Sequence, residues 1–225
     1  MLRVDARPAF EFLFSSRTIN DIYCLFPCPW PKEMHEKHRL FSKDFLCLLN
    51  NCLKSEGRLS LVTDLPAYAA WVKDQARNTG FTLQSREIEP QFDTKFEKKW
   101  RGRDQKQFYA VEFRKTKHLS YKRRKLILMK SYHLKNFNPD RFAFKNETGP
   151  TSVVQKDFMF DSTRETGMVH VVVSEQNLTQ HFRIAILKQK DGWFINRADG
   201  QFFFPTPGLA RALELVYEAA HSSSL

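Results

Sequence analysis

Three prolines at alternate positions, Pro27, Pro29 and Pro31, enclose Cys28 and Trp30. Each proline fixes φ, removes an amide donor and pushes the preceding residue toward extended backbone. The segment is therefore a stiff, extended loop that can be neither helix nor interior strand. It follows directly on Ile22–Phe26 (IYCLF), a continuous apolar run of the kind a parallel sheet buries on both faces.

Around this loop the periodicity alternates between strand and helix. Pro8–Phe14 reads as a short helix with Pro8 in its first turn. Ser42 caps a helix running to about Lys54, with Phe45, Leu46, Leu48, Leu49 and Leu53 on its apolar side, and Gly57 stops it. Arg58–Thr63 is a second strand. Leu65–Asn78 is a second helix, with Pro66 in its first turn and Gly80 beyond its end. Phe81–Arg86 is a third strand, residues 87–106 are a polar basic loop, and Gln107–Arg114 is a fourth strand. Alternation at this spacing predicts an α/β sheet. The last two strands have no helix between them, which predicts an antiparallel pair at the sheet edge.

The pattern changes after Thr116. Residues 117–125 are a charged connector, and strand-like runs follow at 125–134, 168–174, 182–188 and 193–196. Asp191-Gly192 marks a hairpin between the last two, and 208–220 is an amphipathic helix. The expected domains are 1–116 and 117–225, the second small and β-rich (α+β).

Residues 94–130 carry fourteen Lys and Arg against three acids, a net +11 that equals the formal charge of the whole chain. Charge concentrated in this way attracts phosphate and releases counterions, which points to nucleic acid as partner. Phe96, Trp100, Phe108, Tyr109 and Tyr121 are interleaved with it. Phe108 and Tyr109 read as strand packing, whereas Trp100 is open to base stacking. No run of about 18 apolar residues exists, so no membrane span is expected. The N-terminus carries no apolar signal segment. Cys24, Cys28, Cys47 and Cys52 match no zinc spacing and read as reduced thiols of a cytoplasmic protein. The Asn-x-Thr triplets at Asn146 and Asn177 then carry no glycan. His118, His133, His170 and His181 are scattered and read as structural or surface residues.

Phe26-Pro27-Cys28-Pro29-Trp30-Pro31-Lys32, followed by His35, Lys37, His38 and Arg39, resembles the signature of the tRNA (guanine-N7)-methyltransferase family, class I S-adenosylmethionine-dependent enzymes. That family carries aspartate where this chain has Cys28. Val4-Asp5-Ala6 resembles the acidic turn whose aspartate contacts the methyl donor. Thr63-Asp64 resembles a substrate-holding aspartate, and Thr94-Lys95-Phe96-Glu97 resembles the family's substrate motif. The resemblance covers residues 1–115. It implies methyl transfer from S-adenosylmethionine to N7 of a tRNA guanine, a nitrogen with a free lone pair, so catalysis rests mainly on positioning. By the same resemblance Cys28 occupies the catalytic position and Asp5 the cofactor contact. Lys32, Asp64, Thr94, Lys95, Phe96 and Glu97 would bind substrate. The ordinary alternatives are a solvated Lys32, Asp64 as a helix N-cap, and Glu97 paired with a nearby lysine.

Two departures qualify the activity. A thiol at position 28 is a weak hydrogen-bonding group and cannot reproduce a carboxylate. The glycine-rich turn and the ribose-binding acid of the family's first strands have no counterpart, because Asp5 corresponds to a position past both. The expectation is the rear half of a Rossmann-like methyltransferase sheet, truncated at the N-terminus, with a largely absent donor site. Its first strand would be a bare apolar edge covered by a partner chain or an upstream segment. A non-catalytic tRNA-binding module and an interaction subunit are the alternatives from other classes.

Overall fold

A computed structural model describes residues 4–101 and 107–223, with backbone only at 100 and 101. The fold is mixed α/β and divides into two compact units, Met1–Arg124 and Lys125–Leu225.

The first unit runs α1 (Ala6–Phe12), β1 (Ile19–Leu25), α2 (Lys43–Cys52), β2 (Leu53–Thr63), α3 (Pro66–Gln75), β3 (Phe81–Ile88), α4 (Lys95–Arg101) and β4 (Phe108–Lys115). The sheet order is β1-β2-β4-β3, with β1 parallel to β2 and β4 antiparallel to both its neighbours. Strands β1, β2 and β3 therefore point the same way, and their carboxyl ends share one sheet edge. Alternation decides the faces. Leu59, Leu61, Val111 and Phe113 pack with Phe45, Leu46, Leu49, Tyr68 and Val72 of α2 and α3 in one core. Their neighbours Arg58, Glu112 and Arg114 are exposed on the other face.

Several expectations need correction. The Ile22–Phe26 run is not buried on both faces: Tyr23 is 70% exposed, and β1 pairs on one side only among the described residues. Gly57 does not stop α2 but lies inside β2, which starts directly at Leu53. The 87–106 loop contains α4, started by a Thr94–Glu97 capping pair. The antiparallel pair expected at the edge is there: β3 is the edge strand, and β4 lies between β2 and β3.

The break between the units falls eight residues later than the expected 116/117, because the connector is fastened to the first unit. The Asn50 side chain donates to Lys117 O at 2.9 Å and accepts from Leu119 N at 2.9 Å. Tyr121 Oη donates to Asp44 at 3.0 Å, so this tyrosine is not offered to bases. Arg123 reaches Asn51 Oδ1 at 3.1 Å and the carbonyls of Glu11 and Phe14. Arg124 grips the buried Glu11 carboxylate at 2.6 and 2.9 Å. Lys115 is buried as well, its Nζ donating to Asn50 O and Leu53 O at 2.6 Å. Part of the basic run therefore serves the fold instead of facing a partner. Positions 102–106 and the Trp100 side chain, also read from sequence as candidates for RNA contact, lie outside the described residues.

The second unit is a five-stranded antiparallel sheet of β5 (Tyr132–Leu134), β6 (Thr151–Asp161), β7 (Thr166–Glu175), β8 (Leu178–Gln189) and β9 (Gly192–Arg197), in the order β5-β9-β8-β7-β6. Helix α5 (Pro207–Ser222) covers one face, packing Leu209, Leu213 and Val216 on Val169, Val171, Phe182 and Ile184. Of the expected 125–134 strand only Tyr132–Leu134 pairs. Strand β6 escaped the pattern because a bulge between Gln155 and Asp157 breaks the period of two. The histidines are less scattered than the sequence suggests. His170 Nδ1 lies 3.3 Å from Asp157 Oδ2, and its Nε2 lies 3.1 Å from His181 Nδ1. Among the described residues no group of three or more His, Cys, Asp and Glu could hold a metal ion, and no helix is long and apolar enough to cross a membrane.

Candidate functional site

The shared edge at the carboxyl ends of β1, β2 and β3 collects most of the residues singled out from sequence. In open α/β sheets this edge is where ligands bind. From β1 comes the proline loop. Phe26 N donates to Val62 O at 2.8 Å, and Phe26 then turns through the left-handed region at φ 54°. This sharp exit sends Cys28 and Lys32 outward, and both are exposed. From β2 comes Thr63-Asp64, and from the β3–β4 connection comes Thr94–Glu97.

The proline loop is braced from behind. Arg39 Nε donates to Pro29 O at 3.1 Å, and its Nη2 donates to Trp30 O at 3.2 Å. The same guanidinium lies over the Trp71 ring, 4.9 Å from its centroid. Trp71 Nε1 in turn donates to Glu36 Oε1 at 2.8 Å, and Tyr68 stacks on Trp71 with centroids 5.7 Å apart. The sequence reading named Arg39 but missed Trp71 and Tyr68. Their only signal was two aromatics three apart on α3, which reads equally well as core. On the outer side Trp30 carries His35 and His38 against its ring, at centroid distances of 5.6 and 5.2 Å.

Glu97 is fully buried. Its Oε1 accepts from Gln91 N and Phe92 N at 2.9 and 3.1 Å, and its Oε2 accepts from Thr94 N at 2.9 Å. Thr94 Oγ1 accepts in return from Glu97 N at 3.2 Å, completing a capping box. Burial alone would raise this carboxyl. The backbone donors outweigh it and hold the group below the usual carboxylate range. The lysine partner considered from sequence is therefore replaced by a nest of backbone amides. Phe96, next in line, is 40% exposed and touches Phe26 at 6.1 Å, tying this loop to the proline loop. Lys95 Nζ sits 5.2 Å from the Phe96 centroid. Phe108 is fully buried beneath, against Phe26 at 5.2 Å, as strand packing requires.

Asp64 does not cap α3. The N-cap position is Leu65, whose N–H is taken by Thr63 Oγ1 at 3.2 Å. Asp5 is committed locally: it is the N-cap of α1, and Oδ1 accepts from Arg7 N at 2.9 Å. Arg7 also links the start of α1 to the region behind the loop by donating to Leu40 O at 3.1 Å. Of the four thiols Cys28 is exposed, whereas burial pushes Cys24 on β1 up to about 12.

Residues 1–110 match the family model described as "Putative methyltransferase". The tRNA (guanine-N(7)-)-methyltransferase of Chlorobium phaeobacteroides is 40% identical over 119 residues, covering 53% of this chain and 58% of that protein. The enzyme of the same name from Thermotoga maritima is 27% identical, covering 97% of this chain and 72% of that protein. That from Aquifex aeolicus is 25% identical, covering 95% and 74%. The chain thus spans little more than half of the Chlorobium enzyme. The proline loop, Asp64 and the Thr94–Glu97 box are gathered at one strand edge, and the chain that carries them is similar to these tRNA (guanine-N(7)-)-methyltransferases.

Proposed function

We propose that this chain acts on transfer RNA in guanine-N7 methylation, and that its first unit is the acceptor-holding rear half of a Rossmann-like methyltransferase sheet. The observation that carries the reading is the convergence of three separate sequence motifs on the carboxyl ends of three strands that run the same way. In this reading Lys32 attracts RNA phosphate, the exposed Phe96 face meets a base, and Asp64 accepts from guanine N–H groups. Glu97 contributes by building the loop that presents Thr94, Lys95 and Phe96, because both its oxygens are engaged by backbone amides. Guanine N7 needs no deprotonation, so orientation of the acceptor is the chemical task of these residues.

The family implies S-adenosylmethionine as methyl donor, and the described residues do not fit it. Asp5 is occupied as a helix cap. The described glycines of the first unit, Gly57 and Gly80, lie within β2 and before β3, away from the carboxyl edge where a donor-cradling turn belongs. Together with a thiol at position 28, this favours a second reading, tRNA binding without turnover.

One pair of measurements separates the two. The chain is mixed with unmodified tRNA, and both binding and transfer of a radiolabelled methyl group from S-adenosylmethionine are followed. Binding that weakens steeply with salt is expected under both. Methyl incorporation selects the first reading, and its absence despite binding selects the second. A chain that ignores tRNA in dilute buffer overturns both.

A further inference from the structure

The face of the first sheet opposite α2 and α3 is buried at the carboxyl edge, around Phe26, Val62, Phe108 and Ala110, but its other half is polar. Reading across β1, β2, β4 and β3, paired residues place Asp21, Arg58, Arg114 and Thr82 in one row. Tyr23, Ser60, Glu112 and Gln84 form the next row by the same pairings. All but one of these side chains are polar, while the residues between them on the same strands, such as Leu59, Leu61, Val111 and Phe113, are fully or almost fully buried. This half of the face suits water or a polar ligand.

The surface is concave, with a cavity of about 490 Å3 lined by Arg58, Ser60, Thr82, Gln84, Glu112 and Arg114. Arg58 and Arg114 stand directly opposite each other on antiparallel strands. Like charges so placed are unfavourable unless an anion joins them. Glu56 neutralises Arg114, and Glu112 pairs with the neighbouring Arg86 at 3.1 Å. Arg58 is exposed, stands opposite Asp21 on β1, and takes part in no ion pair among the described residues. Beside it Tyr23 presents an aromatic ring that is 70% exposed. An unpaired guanidinium, a floor of hydroxyl and amide groups, and a bare ring across a four-stranded sheet are complementary to a nucleotide: phosphate, base edge and base face.

We infer that this open sheet face binds a segment of unpaired RNA, with Tyr23 stacking on a base and Arg58, beside Arg114, holding a phosphate. It is a second RNA surface, set away from the proline loop at the carboxyl edge. The inference takes its class of partner from the reading above, but its residues are separate, so the two can fail separately.

The test uses the full chain with two probes, a fluorescent oligouridylate and an unmodified tRNA. Both are titrated by fluorescence anisotropy at low salt against the natural chain and the Tyr23→Ala, Arg58→Gln and Lys32→Ala variants. The first two positions are exposed, and circular dichroism checks that each variant keeps its fold. Tyr23→Ala is expected to weaken the oligouridylate about tenfold, as loss of one stacked base does. Arg58→Gln should weaken it and flatten the salt dependence. Lys32→Ala should weaken tRNA more than it weakens the oligouridylate. If the oligouridylate does not bind, or binds all variants alike, the sheet-face site is overturned. If it binds in a Tyr23-dependent way while tRNA binds no better than any other polyanion, the sheet-face site stands and the tRNA reading falls.

Discussion

Glu97 shows how one residue type serves structure at a place the sequence marks for chemistry. A buried carboxylate with three backbone donors is satisfied only while the donors converge on it. Glu97→Ala leaves these amides without a partner, a loss of about 2–4 kcal/mol. Hydrogen exchange of the Gln91, Phe92 and Thr94 amides should rise accordingly while β2 and β4 stay protected. Because the folded carboxyl is held below its ordinary value of 4.5, its contribution is complete above that pH and is lost as pH falls through the folded value. Exchange protection at these amides should therefore be flat near neutrality and fail only in clearly acid buffer. Cys28 offers a second check at this scale. It alone among the four thiols is exposed, and burial raises Cys24, Cys47 and Cys52. Ellman's reagent should modify one thiol rapidly in the native chain, and Cys28→Ser should remove that phase. Two fast thiols would contradict the placement of β1 and α2.

At the scale of elements, the turn from α3 into β3 is where the connector is fastened. Gly80 has φ 77°, and its carbonyl accepts from Thr116 N and Lys117 N at 3.0 and 3.1 Å. A Cβ there would press on Lys117 O and on the Asn50 amide 2.7 Å away. The left-handed backbone and this contact together make Gly80→Ala destabilising by about 2 kcal/mol or more. Chemical denaturation should show the loss in the first unit, and an unchanged midpoint would mean that the connector packs elsewhere. Lys115, buried with no ion-pair partner among the described residues, belongs to the same device. Burial lowers its ammonium, and two carbonyls with the His118 ring keep it satisfied.

At the scale of the molecule, the position of the unit boundary makes a prediction of its own. Residues 117–124 close over α1, α2 and Asn50 through hydrogen bonds that a break at 116 would remove. A fragment ending at Arg124 should unfold cooperatively with the far-UV spectrum of a mixed fold. One ending at Thr116 should lose cooperativity or precipitate, having exposed Cys52 and the Glu11 carboxylate. Equal stability of the two fragments would show the fastening to be ornamental. Part of the basic run thus has a structural duty, because Lys115, Arg123 and Arg124 hold the unit together.

The sequence by itself determined the alternation of strands and helices in the first unit, since period and punctuation are local properties of the chain. It also determined the stiffness of the proline loop and the identity of the motif residues. Tertiary structure alone decided which motifs meet. The parallel pairing of β1 with β2, and the insertion of β4 between β2 and β3, bring Cys28, Asp64 and Thr94 to one edge across long stretches of sequence. It also decided what each charge is for. Glu97, Asp5 and Arg124 look like site or surface residues in one dimension, and become a loop nest, a helix cap and a buried ion pair once their donors and acceptors are brought beside them. A side chain's role follows from the unsatisfied groups around it, and those are assembled only when distant segments pack.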